Sequence, residues 1–130
     1  MPGAARVLDA SAALALIYNE PGAGAAGAAL RAASMSTVNV AEVMTVLIRN
    51  GAPEPLAWEL LQRLGLTIRD FTLEHAVFAA SLHTAKSEAR RISLGDRACL
   101  ATAHILGIPA MTADRNWRDL DLPVEIEFIR

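Results

Sequence analysis

Short apolar runs alternate with helix-forming stretches along this chain, and that alternation limits the fold more than any single motif does. "ARVL" (Ala5 to Leu8) is a brief strand-like run. It is followed at once by "SAALALIYNE", which is helical by its alanine and leucine content. "SMSTV" (Ser34 to Val38) reads as a second short strand, and "NVAEVMTVLIRN" as a strong helix closed by Asn50-Gly51. Then come the helix "PEPLAWELLQRLG", the strand "LTIRDF" and a long helix, "TLEHAVFAASLHTAKSEAR", with Thr72 as its cap. "SLGDRACLATAHILG" is a further helix, and the chain finishes with the strands "PAMTA" and "VEIEFI". Strands interleaved with helices in this way imply an α/β fold on a mainly parallel sheet.

The 130 residues are the length of one domain, residues 1–130, with no repeat, linker or low-complexity tail. A chain of this size buries roughly two-thirds of its unfolded surface and needs no staples. It is 53% hydrophobic, and every apolar run is broken by Arg, Asp or Glu before it reaches the length of a membrane span. No signal-peptide h-region precedes the first acid, and the single cysteine, Cys99, leaves no intramolecular disulfide. Both features fit a cytoplasmic protein with no membrane partner. A net charge of −2 supplies no global field for nucleic acid, so any such partner depends on a local basic stripe.

In a parallel α/β sheet, ligands bind outside the carboxyl ends of the strands near a topological switch point. Asp9 ends the first predicted strand, Asp114 follows "PAMTA", and Asp96 opens the helix that leads to that strand. Glu42 lies in the helix after the second strand, a helix apolar nearly all round and so expected to be buried. Each acid has a local explanation. Asn39 and Glu42 have capping-box spacing, Asp9 suits an Asx turn or cap, Asp96 complements a helix dipole, and Asp114 suits the turn at "DRNW". Four acids near strand ends or helix starts also have a joint explanation. Clustered carboxylates repel unless a hard divalent cation, Mg²⁺ or Mn²⁺, binds among their oxygens.

The segments "VLDASAALALIYNEPG", "STVNVAEVMTVL", "SLGDRACLATAHILGIPAMTAD" and "DRNW" resemble the PIN domain, and within it the VapC toxins of bacterial toxin–antitoxin systems. The resemblance runs from Val7 to about Trp117. It implies a three-layer α/β/α sandwich and a Mg²⁺- or Mn²⁺-dependent endoribonuclease neutralised by a VapB-like antitoxin. It also implies a homodimer, for which the helices between Asn39 and Gly65 are the candidate face. By this resemblance Asp9, Glu42, Asp96 and Asp114 are the catalytic and metal-binding acids. Ser11 and Thr112 are the small hydroxyl residues that support them, and Asn116, with Asp119, occupies a further polar position.

An RNA substrate needs positive charge beside an acidic pocket, and Lys86, Arg90, Arg91, Arg97 and Arg115 are the candidates. Tyr18 and Trp117 could stack on bases, although a Trp at such an edge is more often core. Cys99 is expected to be a small core residue rather than a nucleophile. Two other classes fit less well. A phosphoacceptor domain needs a lysine after a late strand, and the only lysine, Lys86, falls in a predicted helix. An Asp-nucleophile phosphatase usually has a second Asp two residues on, where this chain has Ser11. A binding module that keeps the acids for structure stays open, and metal-dependent RNA cleavage would exclude it.

Overall fold

The computed structural model describes residues 4–82, 92–118 and 120–130. Its elements follow the expected order: β1 (Arg6–Leu8), α1 (Ala10–Ile17), α2 (Ala23–Ala29), β2 (Ala33–Ser36), α3 (Thr37–Arg49), α4 (Glu54–Gln62) and β3 (Thr67–Arg69). Then come α5 (Leu73–Ser81), α6 (Leu94–Leu106), β4 (Ala110–Thr112) and β5 (Ile126–Phe128). The five strands form one sheet in the order β3-β2-β1-β4-β5, and every pairing is parallel. The chain winds outward from β1 through β2 to β3, then crosses to β4 on the other side of β1. The topological switch point therefore lies between β1 and β4, where ligands of open parallel sheets bind.

Period-two alternation sends neighbouring strand residues to opposite faces. Leu8, Met35 and Met111 face a core built with Ala12, Ala26, Val43, Leu47 and Leu61, from α1 to α4. Val7 and Ala110 face a second core with Cys99, Leu100, Ala103, Leu82 and Trp117. Ile126 and Phe128 of β5 pack on this second core. Helices on both faces of one sheet make the α/β/α sandwich. No described helix is long and apolar enough to cross a membrane.

Two local expectations need correction. The cap of α3 is Ser36, whose Oγ accepts from the Val38 amide, so Asn39 sits inside the first turn and forms no capping box with Glu42. Nor is α3 buried all round: Asn39, Val43 and Leu47 are buried, whereas Thr45, Ile48 and Arg49 are exposed. Alternating apolar residues along a helix mark its inner stripe only where a neighbour covers them, and α3 is covered on one side. On β5, Glu127 is half-buried and paired with Arg6 at 2.7 Å.

Candidate functional site

Asp9 follows the last residue of β1 and caps α1. Its Oδ1 accepts from the Ala12 amide at 2.9 Å and from the Ser11 hydroxyl at 2.6 Å. Its Oδ2 accepts from the Thr112 hydroxyl at the end of β4. Both hydroxyls spend their proton on Asp9, so their own oxygens are left to accept. The Ser11 Oγ accepts from the Ala113 amide and the Thr112 Oγ1 from the Asp114 amide, each at 2.9 Å. One carboxylate, two hydroxyls and two amides thus sew the end of β1 to the loop that carries Asp114, across the switch point. Ser11 and Thr112 are thus both hydrogen-bonded to the Asp9 carboxylate.

Burial pushes the Asp9 carboxyl up from 3.8 to about 6, against the three hydrogen bonds that favour its charged form. The negative charge of Asp96 adds to the rise. Asp96 stands in the first turn of α6 within a capping box. Its amide donates to the Ser93 Oγ at 3.1 Å, and its Oδ2 accepts from the Ser93 amide at 3.3 Å. Its pKa is raised too, by burial first and then by the charges of Asp114 and Glu42. Glu42 lies against Gly95, the residue before Asp96: a Cβ on that glycine would overlap the Glu42 carboxylate. Asp114 caps the short 3-10 turn Arg115–Trp117 by accepting from the Asn116 amide at 2.9 Å. The four acids therefore share one electrostatic neighbourhood at the carboxyl edge of the sheet, while each also performs a local structural task.

This donor set is all oxygen, which suits a hard cation. Gly95 leaves room for a carboxylate that any side chain would displace. The buried Asn39 Oδ1, beside Glu42, has no partner among the described residues. These features fit a divalent cation held by Asp9, Glu42, Asp96 and Asp114. Among the described residues no three His, Cys, Asp or Glu side chains stand close enough together to hold a metal ion as they are; each carboxylate leans on its own protein donors, and a bound cation would have to draw them together.

The remaining candidates divide sharply. Asn116 is exposed and contributes its backbone amide to Asp114. Arg115 is exposed, with Nη1 donating to the Arg130 carbonyl at 3.0 Å. Arg97 is half-buried and reaches the Ala79 carbonyl near the end of α5 at 3.5 Å, so it ties α6 to α5 instead of standing free beside the acids. Lys86, Arg90, Arg91 and Asp119 lie outside the described residues. Trp117 is a core residue, 3% exposed, and Tyr18 is exposed. Cys99 is fully buried, and burial together with the nearby acids pushes its thiol up, away from thiolate chemistry. Sequence reading missed two residues, Asn39 and Gly95. "SLGD" contained a signal for the second: a glycine in the first turn of a helix, where its low helix propensity needs a packing reason.

A parallel α/β sandwich with acids gathered at its switch point defines the class to which this protein belongs. Residues 6–122 match the PIN domain, and the chain belongs to that family. Solved structures agree. VapBC-5 of Mycobacterium tuberculosis, a member of the VapBC family of toxin–antitoxin systems, is 25% identical, with a TM-score of 0.65 and 98% of each chain covered. DNA-bound VapBC of Salmonella typhimurium is 16% identical with a TM-score of 0.78, covering 98% of this chain and 99% of that one. FitAcB of Neisseria gonorrhoeae is 22% identical with a TM-score of 0.69, covering 95% and 97%. No curated protein matches the sequence.

Proposed function

We propose that this protein is a VapC-type toxin, an endoribonuclease that depends on Mg²⁺ or Mn²⁺ and is neutralised by a VapB-like antitoxin. The observation that carries the reading is the grouping of Asp9, Glu42, Asp96 and Asp114 at the β1–β4 switch point of a PIN domain. Those four residues would hold the cation. When bound, it lowers the pKa of water and offsets charge on a scissile phosphate.

The chain's own residues prepare that chemistry. Ser11 and Thr112 fix both oxygens of Asp9, and the same hydroxyls fix the backbone before Asp114. The capping box fixes Oδ2 of Asp96, while no described residue hydrogen-bonds its Oδ1. That oxygen is left open toward the site, where it can face the cation or accept a hydrogen bond from an attacking water. In-line attack of that water on phosphorus breaks the bond to O3′, which takes up a proton from solvent, and leaves a 3′-hydroxyl and a 5′-phosphate.

A groove of about 370 Å³ opens beside the site between α1 and α3, lined by Ser11, Leu14, Tyr18, Val46, Asn50 and Arg130 among others. We assign it to the antitoxin. A homodimer would use the α3–α4 face, where Ile48, Leu56 and Trp58 are each more than 40% exposed; sedimentation at high concentration tests it. Cleavage of RNA by the purified chain with Mn²⁺ or Mg²⁺, and its loss in Asp96→Asn with the fold intact, tests the enzyme. A metal-loaded chain that leaves RNA whole would make this a binding module instead.

A further inference from the structure

We infer that Asn39 is the positioning residue for Glu42, clamping its carboxylate to the first turn of α6. Asn39 is 0% exposed and stands in the first turn of α3, three residues before Glu42. Its Nδ2 donates to the Glu42 Oε1 at 2.7 Å and to the Gly95 carbonyl at 3.0 Å. Both amide hydrogens are spent on these two oxygens. The orientation of the amide is therefore fixed by chemistry: turned over, its Oδ1 would face a carboxylate and a carbonyl, neither of which donates.

The arrangement has a cost. Oδ1 is buried without a partner among the described residues, and an unpartnered buried acceptor destabilises a fold. An apolar side chain of the same shape would avoid that cost. What Asn39 supplies instead is a bond between segments 56 residues apart. Glu42 is the only one of the four acids on α3, and Gly95 directly precedes Asp96. The Asn39 amide joins them, so it sets how the Glu42 carboxylate stands toward Asp96. Partners that orient metal-binding side chains typically change metal affinity 10–100-fold when removed.

This inference rests on the reading of Glu42 and Asp96 as metal ligands, and the test separates the two. Mn²⁺ affinity is measured by calorimetry for the whole chain, for Asn39→Leu, which keeps the shape and deletes both donors, and for Asn39→Ala. It is also measured for Asp96→Asn, for Glu42→Gln and for Asn39→Leu combined with Glu42→Gln; melting temperatures are taken alongside. The expected result is affinity at least about tenfold weaker in Asn39→Leu, in a chain that still melts cooperatively. In the Glu42→Gln background the same substitution should change affinity less than about twofold, because the residue it acts through is gone. Wild-type affinity in Asn39→Leu, while Asp96→Asn abolishes binding, would overturn the positioning role and leave the metal site standing. An equal loss with and without Glu42 would show a merely structural role and overturn it too. No Mn²⁺ binding by the wild-type chain would remove the metal reading and this inference together.

Discussion

The carboxylate of Glu42 occupies the space that a side chain on Gly95 would need. An α3 residue and an α6 residue are thus fitted to each other one position away from Asp96. Gly95→Ala has two opposed effects on stability. Alanine gains up to about 1 kcal/mol of helix propensity over glycine, and the new methyl evicts a carboxylate that Asn39 anchors. The end of a Glu side chain can move, so the fold should survive with a melting temperature within a few degrees of wild type. RNA cleavage should fall at least tenfold, because Glu42 can no longer stand where it does. Cleavage rates and thermal melts of the one variant check both halves, and full activity would show that the position of Glu42 is immaterial.

Stability should depend on pH through Asp9. Its folded pKa, about 6, lies above the ordinary value of 3.8. Between those values the folded chain holds a proton that the unfolded chain has released, so stability falls as pH rises from about 4 to about 6. Below that window the penalty is absent, and above it the penalty is complete. A shift of this size corresponds to roughly 3 kcal/mol. Asp96 is shifted in the same direction and adds to the trend. Urea denaturation in chelator across this range should give a shallower pH slope for Asp9→Asn than for wild type. An equal slope in both would remove Asp9 as its source.

The order of the elements was legible because the period of the apolar pattern changes from helix to strand at each boundary, and those changes are local. The positions of Asp9, Asp96 and Asp114 were legible for a similar reason: each stands near a strand end or a helix start, where a parallel sheet places its ligands, whereas Glu42 lies in the second turn of α3. The Asn39–Glu42–Gly95 contact was not legible, since it joins segments that sequence spacing cannot relate. Asn39 also imitated a helix cap in the sequence, while the true cap, Ser36, lay three residues earlier. The exposure of Ile48 and Thr45 was hidden in the same way. Whether an apolar helix is covered on one side or all round is decided by neighbours, and α3 has them on one side.

Thr112 carries two bonds at once, donating to the Asp9 Oδ2 and accepting from the Asp114 amide. Thr112→Val keeps the volume and deletes both. A buried carboxylate oxygen and an amide are left short of a partner, at a cost of about 1–3 kcal/mol. Losing a donor to its charged form should raise the Asp9 pKa further. Thr112→Ser, which keeps the hydroxyl, should restore most of the stability and the activity. Chemical denaturation and cleavage assays on the pair check this; a valine variant as active as the serine variant would show that the hydroxyl serves packing alone.

The final prediction concerns how such an enzyme is restrained. Ser11, whose hydroxyl donates to Asp9, also lines the groove between α1 and α3, so the groove starts next to the Asp9 carboxylate. A polypeptide lying in that groove along Leu14 and Val46 can reach the acids with one Arg or Lys, and a guanidinium pairs with carboxylates through two parallel bonds. Such a contact competes with a divalent cation for the same oxygens. Excess Mg²⁺ or Mn²⁺ should therefore weaken inhibition by the antitoxin we propose. Asp96→Asn should lower binding of that partner less than it lowers cleavage, because the groove contacts remain. Substituting Val46 by Glu should do the reverse, lowering partner binding more than metal-dependent cleavage. Titration of the partner against RNA cleavage at several metal concentrations measures the competition. Inhibition that ignores metal concentration, by a partner indifferent to Val46→Glu, would place the partner elsewhere on the fold.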